Sequence, residues 1–267
     1  MSSMHPIPAL PTAEQTPDLF ESGHLWIQEL VVGAPLRLSV ERTGQLTVAG
    51  REQRFGDDPP PSYRWTVQYI RERLDRDALF DVADDPSEVV FYGVATRFEG
   101  VEYDWERLPP FLGTDVWSGP RESLLAPDVV ERAFEEIGLV PVNAVEKEVQ
   151  AKYFDPDGYE LPTSAWYDGP AAGVVLRNKT GERAAIRTGE RRPVETVDAS
   201  PDHVAATVAT PARLRRVSGG GSRDFDAVLN RVFDAAHREE HGRLPELDDR
   251  AIRTAIADRV RELWDEE

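Results

Sequence analysis

The stretch Gln28-Glu29-Leu30-Val31-Val32-Gly33-Ala34-Pro35-Leu36-Arg37 decides how this chain is read. Residues 25–32 form an apolar run of strand character, and residues 35–40 alternate apolar and polar at the period of a half-buried strand. Thr43-Gly44 then turns the chain into Gln45-Leu46-Thr47-Val48, an antiparallel β beginning. Upstream, Pro6, Pro8, Pro11 and Pro17 interrupt any periodicity, so residues 1–23 are expected to be an irregular lead-in.

Downstream, Pro59-Pro60-Pro61 precedes a helix over residues 63–74, in which Trp65, Tyr69, Ile70 and Arg73 fall at helical spacing. Short apolar strands are expected over 89–94 and 111–117. A helix begins at Pro127-Asp128 and stops at Gly138, with Asp128 and Glu131 near its positive end. Residues 173–177 and 183–187 make a hairpin across Thr180-Gly181. A polar stretch from 189 to 211 and the run Ser218-Gly219-Gly220-Gly221-Ser222 read as linker. Beyond it, Phe225, Val228, Leu229, Val232, Phe233 and Ala236 form one apolar helical stripe, and Ile252, Ile256, Val260 and Leu263 another. The expected organisation is a lead-in (1–23), one large α+β domain (24–195), and a linker with a small helical C-terminal unit (196–267).

The 267 residues carry 49 acidic and 31 basic side chains, a net charge of −18, and only Lys147, Lys152 and Lys179 are lysines. The acids are spread along the whole chain and so read as a surface property. An acidic, lysine-poor surface suits molar salt, where the Debye length falls to about 3 Å, and a halophilic origin is the expectation. The charge neither supports nor excludes nucleic acid, because high salt removes the counterion-release drive. With no cysteine, disulfides and thiolate metal sites are excluded. No apolar run approaches the ~20 residues of a membrane span, so a soluble cytoplasmic protein without membrane partners is expected.

Four segments in fixed order resemble the nucleotidyltransferase motifs of ATP-dependent RNA ligases, members of the covalent nucleotidyltransferase superfamily. Residues 28–37 are similar to E-K-x-D-G-x-N followed by a strand, and Gly50-Arg51 stands where the family has a G-x-R-like sequence. Val90-Phe91-Tyr92-Gly93-Val94, Tyr103-Asp104-Trp105 and Phe111-Leu112-Gly113-Thr114-Asp115-Val116 are similar to F-G-E-x, Y-D-W and F-x-G-F-D-V. Residues 171–178 resemble E-G-V-V-x-R, with Arg183-Ala184-Ala185-Ile186-Arg187 following. The resemblance, of a haloarchaeal type with degenerate motifs, implies an RNA ligase or ATP-grasp-like fold: an antiparallel-rich β core with flanking helices.

In that family a lysine attacks the α-phosphate of ATP, and AMP then passes to an RNA 5′-phosphate. The chemistry needs a neutral amine, cations for phosphate, and carboxylates for metal. Here Leu30 occupies the nucleophile position, Val32 the acidic position two residues on, and Pro35 the ribose-contacting position. Val94 and Ala172 replace glutamates, and Ala185 the final lysine. A leucine forms no phosphoramidate, and exchanging facing carboxylates for apolar groups relieves unpaired charge. No catalytic residue, metal ligand or cofactor is therefore expected. ATP and magnesium belong to the alternative, an active ligase with an unusual nucleophile.

Residual cleft residues implied by the resemblance are Glu29, Gly33, Arg37, Arg51, Arg177 and Arg187, and the implied partners are RNA ends, a nucleotide or an active ligase paralogue. The competing reading pairs the arginines with surface carboxylates and turns Glu29 to solvent. His237 and His241 are four apart on a helix with no third metal ligand evident. Trp26, Trp65, Trp105, Trp117 and Trp166 are assigned to the core.

Overall fold

Alternation at period two sorts the side chains of β2 (Gly33–Val40) onto two faces, with Ala34, Leu36, Leu38 and Val40 on one and Gly33, Pro35, Arg37 and Ser39 on the other. The apolar set belongs to the largest buried cluster. Of the opposite set, Gly33 and Pro35 line a cleft. In the computed structural model, residues 4–83, 85–188, 194, 200–218, 224–244 and 249–265 are described. The expected boundary near Thr196 and the glycine run at 219–221 lie outside them.

Two antiparallel sheets form the α+β core. One has the order β7-β1-β8-β9, with β1 (His24–Glu29), β7 (Ala144–Gln150), β8 (Gly173–Arg177) and β9 (Arg183–Arg187). The other has the order β3-β2-β4-β5-β6, with β3 (Leu46–Ala49), β4 (Val89–Thr96), β5 (Phe111–Ser118) and β6 (Ser123–Leu124). The hairpin β8–β9 and the β2–β3 pair stand where the sequence places them. One expectation is corrected: the first strand ends at Glu29, not Val32, and β1 and β2 belong to different sheets. The link between them turns because the Leu30 amide donates to the Gly173 carbonyl and the Val32 amide to the Tyr103 hydroxyl, 2.9 Å each.

Helices α1 (Pro61–Arg73), α2 (Arg76–Val82) and α3 (Pro127–Glu136) cover the outer face of the five-stranded sheet. Pro61 starts α1, where its missing N–H costs nothing. Gly138 ends α3 at φ +75°, and a Cβ there would also sit 2.6 Å from the Arg73 carbonyl. The four-stranded sheet buries Leu25, Ile27, Val174, Leu176 and Ala184 on its outer face, together with Leu19 from the lead-in.

The polar stretch at 189–211 is not all linker. Helix α4 (Pro201–Val208), capped by Ser200, buries Val204, Ala205 and Val208 in a separate apolar cluster with α5 (Pro211–Ser218), α6 (Phe225–Glu239) and α7 (Asp249–Asp265). The two stripes read from sequence line that cluster, and Trp65 of α1 packs against it. Arg238 of α6 fastens the helices to the core. Its guanidinium donates to the Thr96 carbonyl (3.0 Å), the Thr96 hydroxyl (2.8 Å) and the Leu108 carbonyl (2.8 Å). Among the described residues no helix is long and apolar enough to cross a membrane.

Candidate functional site

The inner faces of the two sheets enclose a cavity of ≈ 330 Å³, within the range of small-ligand sites. Glu29, Leu30, Val32, Gly33, Pro35, Arg51, Val94, Arg177 and Arg187 all line it. Leu30, Val32, Pro35 and Val94, four of the six positions at which the sequence departs from the motifs it resembles, are thereby brought together. Ala172 lies outside this lining, packed against the apolar cluster of Val31 and Val32, and Ala185 is buried in β9.

Strand register explains the cavity's charge. Arg177 and Arg183 are directly opposed across the β8–β9 pair, an arrangement that like charges make unfavourable. Asp115, from β5 of the other sheet, reaches between them. Arg177 grips it through both terminal nitrogens, one at 3.0 Å, and Arg183 Nη1 approaches Oδ1 at 2.8 Å. All three side chains are buried. Desolvation is the largest influence on Arg183 and pushes its pKa down, while Asp115 opposes it. The register of β4 against β5 slips at Tyr92/Gly93, leaving Thr114 as an extra residue whose carbonyl accepts from Arg177 Nη1 at 2.7 Å. Asp115 and Arg183 carry no mark of a site in the sequence, since only the fold brings Asp115 of β5 against two arginines of the other sheet.

A second feature had no sequence signal. Residues 4–12 cross from one sheet to the other over the cavity. The Met4 and His5 carbonyls accept from Arg37 Nη1 at 3.2 and 2.9 Å, and the His5 ring stacks on Trp117 with centroids 3.6 Å apart. His5 Nδ1 lies 3.0 Å from the Tyr92 hydroxyl, whose pKa burial raises. At the far end the Pro11 carbonyl accepts from the Ala185 amide at 2.8 Å. Ile7, Pro8 and Leu10 lie between and form part of the cavity wall.

Glu29 does not point to solvent: it is buried, accepting from the Ser164 hydroxyl at 2.5 Å and the Ala165 amide at 3.0 Å. Gly33 lies so close to β4 that a Cβ would meet the Ala95 carbonyl at 2.4 Å. Arg37 is not part of the lining; it is held under residues 4 and 5. Arg177 pairs with a carboxylate, but with a buried one. Arg51 and Arg187 are exposed at the rim and have no ion pair among the described residues.

None of the three lysines reaches the cavity. Lys147 pairs with Glu131, Lys179 with Glu148, and Lys152 lies over the Tyr153 ring. Among the described residues no three His, Asp or Glu side chains are grouped to hold a metal ion. Of the tryptophans assigned to the core, Trp26 is buried, whereas Trp65, Trp105, Trp117 and Trp166 are half-buried.

No protein-family model matches the sequence, and no curated protein does. Solved structures do share its fold. A Naegleria gruberi RNA ligase with PPi has a TM-score of 0.53 at 10% identity, over 69% of this chain and 56% of that one. A point mutant of the same ligase with ATP and Mn also gives 0.53, at 9% identity, over 70% and 56%. An archaeal ATP-dependent RNA ligase is similar at 0.49 and 16% identity, over 97% of this chain and 65% of its own. The chain thus spans 56% to 65% of the length of these proteins. Its fold is the nucleotidyltransferase fold of RNA ligases.

Proposed function

We propose that this chain is a non-catalytic RNA-ligase-fold protein that binds RNA ends without adenylylating them. The observation that carries the reading is the side chain at position 30: a leucine, packed beside Val31, Val32 and Leu112, lines the cavity where the family resemblance calls for a nucleophilic amine. No lysine elsewhere on the lining replaces it. Near-attack geometry requires the nucleophile within about 3–3.5 Å of phosphorus, and a loop lysine held by Glu148 does not supply that.

The interior cations are also committed. Arg177 and Arg183 share the single carboxylate of Asp115, which occupies both side chains while offsetting one of the two charges, and Arg37 is engaged by main-chain oxygens. What remains for a phosphate is the rim, where Arg51 and Arg187 are exposed. This suits docking of a 5′-phosphate at the lip better than burial of a triphosphate inside. ATP and metal have no assigned role in this reading, and the acidic surface fits a protein working in a salt-rich cytoplasm.

Anisotropy titrations with 5′-phosphorylated and 5′-hydroxyl RNA of one sequence, in high potassium chloride, test it. Preference for the 5′-phosphate that disappears in Arg51→Ala/Arg187→Ala is expected. Equal binding of both RNAs, or transfer of AMP to either, would overturn it.

A further inference from the structure

A concave surface roomier than the cleft lies outside it, between α1, the loop at 105–110 and helices α5 and α6, with a volume of ≈ 920 Å³. Its position follows from the two-sided character of α1. Thr66, Val67 and Ile70 are buried toward the sheet, while Trp65, Tyr69 and Arg73 lie on the face turned to the helical unit.

In a chain of net charge −18, this groove has the opposite local sign. Six arginines line it against two carboxylates, Glu72 and Glu106. Arg238 is buried in its fastening role, and Arg216 is paired with Glu239. The other four, Arg73, Arg107, Arg215 and Arg231, have no carboxylate partner among the described residues. Between them stand three half-buried aromatic side chains, Trp65, Tyr69 and Trp105. Arg73 already lies 5.9 Å from the Tyr69 ring centre, and Arg238 5.0 Å from that of Trp105.

We infer that this groove binds the body of a single-stranded RNA, its phosphates against Arg73 and Arg215 and against the outward nitrogens of Arg107 and Arg231, which are steadied by the Ala165 and Val217 carbonyls, and its unpaired bases against the aromatic side chains. Cations interleaved with aromatic rings are the means by which proteins hold single strands without reading sequence, because every base has a π-face. A duplex keeps its base faces stacked away and would leave the aromatic side chains unused. Salt reinforces the choice: screening removes the long-range repulsion of the acidic surface, and stacking persists where phosphate attraction fades. RNA as the polymer rests on the end-binding reading above; the groove's chemistry is that of any single strand.

The test is tryptophan quenching and anisotropy with a 5′-hydroxyl oligouridylate of about 12 nucleotides, so that no terminal phosphate contributes. Arg73 and Arg215 are exposed, and Arg73→Glu/Arg215→Glu should keep the parent's melting temperature while weakening binding at least ~10-fold and reducing quenching. Unchanged affinity in that variant would overturn the groove, and if the 5′-phosphate preference persists, end binding stands without it. Groove-dependent binding with no 5′-phosphate preference would keep the groove and remove end binding. No RNA binding by the parent would remove both. Displacement of the RNA by poly-glutamate at matched charge would reassign the groove to an acidic protein partner and contradict the inference.

Discussion

Arg177 and Asp115 face one another from different sheets in a buried, two-pronged pair, Nη2 to Oδ2 at 3.0 Å. The pair ties the inner faces of the two sheets together at the floor of the cavity. It also spends on an internal carboxylate the two cations, Arg177 and Arg183, best placed to hold an anion there.

Asp115→Asn leaves two buried guanidiniums opposed without their counter-charge. A loss of about 3–5 kcal/mol is expected, because removing one partner of a buried pair leaves the other uncompensated. Urea unfolding at neutral pH reads it; a loss below about 1 kcal/mol would place the pair in water.

Residues 4–12 are held at their start by His5 and at their end by Pro11. His5→Ala removes both the stacking on Trp117 and the hydrogen bond to Tyr92, and should cost about 1–2 kcal/mol. Faster hydrogen exchange at the Ala185 amide, which donates to Pro11, is the local signature, with little change in the helical unit.

Arg238→Met keeps the length of the side chain but leaves the Thr96 and Leu108 carbonyls and the Thr96 hydroxyl without this donor. A loss of about 3 kcal/mol or more is expected. Burial pushes the Arg238 guanidinium down to about 10. The group remains charged at neutral pH, so the effect should be flat from pH 6 to 8.

Two groups on the helical unit give opposite pH slopes. Burial raises the Asp234 carboxyl to about 6, so the folded chain holds that proton more tightly than the unfolded one, and stability falls as pH rises from about 4 to 6. Burial, aided by Arg97, lowers the His241 imidazole to about 4, so the unfolded chain protonates first, and stability falls as pH drops from about 6.5 to 4. Asp234→Asn should stabilise the protein by about 1 kcal/mol at pH 7 and steepen the acid loss. His241→Gln should flatten the acid loss. Melting temperatures at pH 4.5, 5.5 and 7 separate the two.

Much of the fold was legible because its periodicity is local. The β8–β9 hairpin has a turn at Thr180-Gly181, and the stripes of α6 and α7 repeat at helical spacing. Other elements were hidden. β7 is half-exposed at an edge, and Glu146, Lys147 and Glu148 interrupt its apolar pattern between Val145 and Val149. α4 hides three buried residues in a stretch rich in polar side chains and proline. The site was half legible: the motif order brought Leu30, Val32, Pro35 and Val94 to one cavity. The charge balance inside was not, because Asp115 meets Arg177 and Arg183 only after two sheets stack, and Arg37 meets Met4 and His5 only when residues 4–12 cross over the cleft.

On the proposed reading, Leu30 leaves the cavity without a nucleophile. Intact mass after incubation with α-labelled ATP and magnesium or manganese in molar potassium chloride tests it directly. An unmodified chain with no label retained after denaturation is expected. A stable AMP adduct, with the modified residue mapped to any side chain, would contradict it.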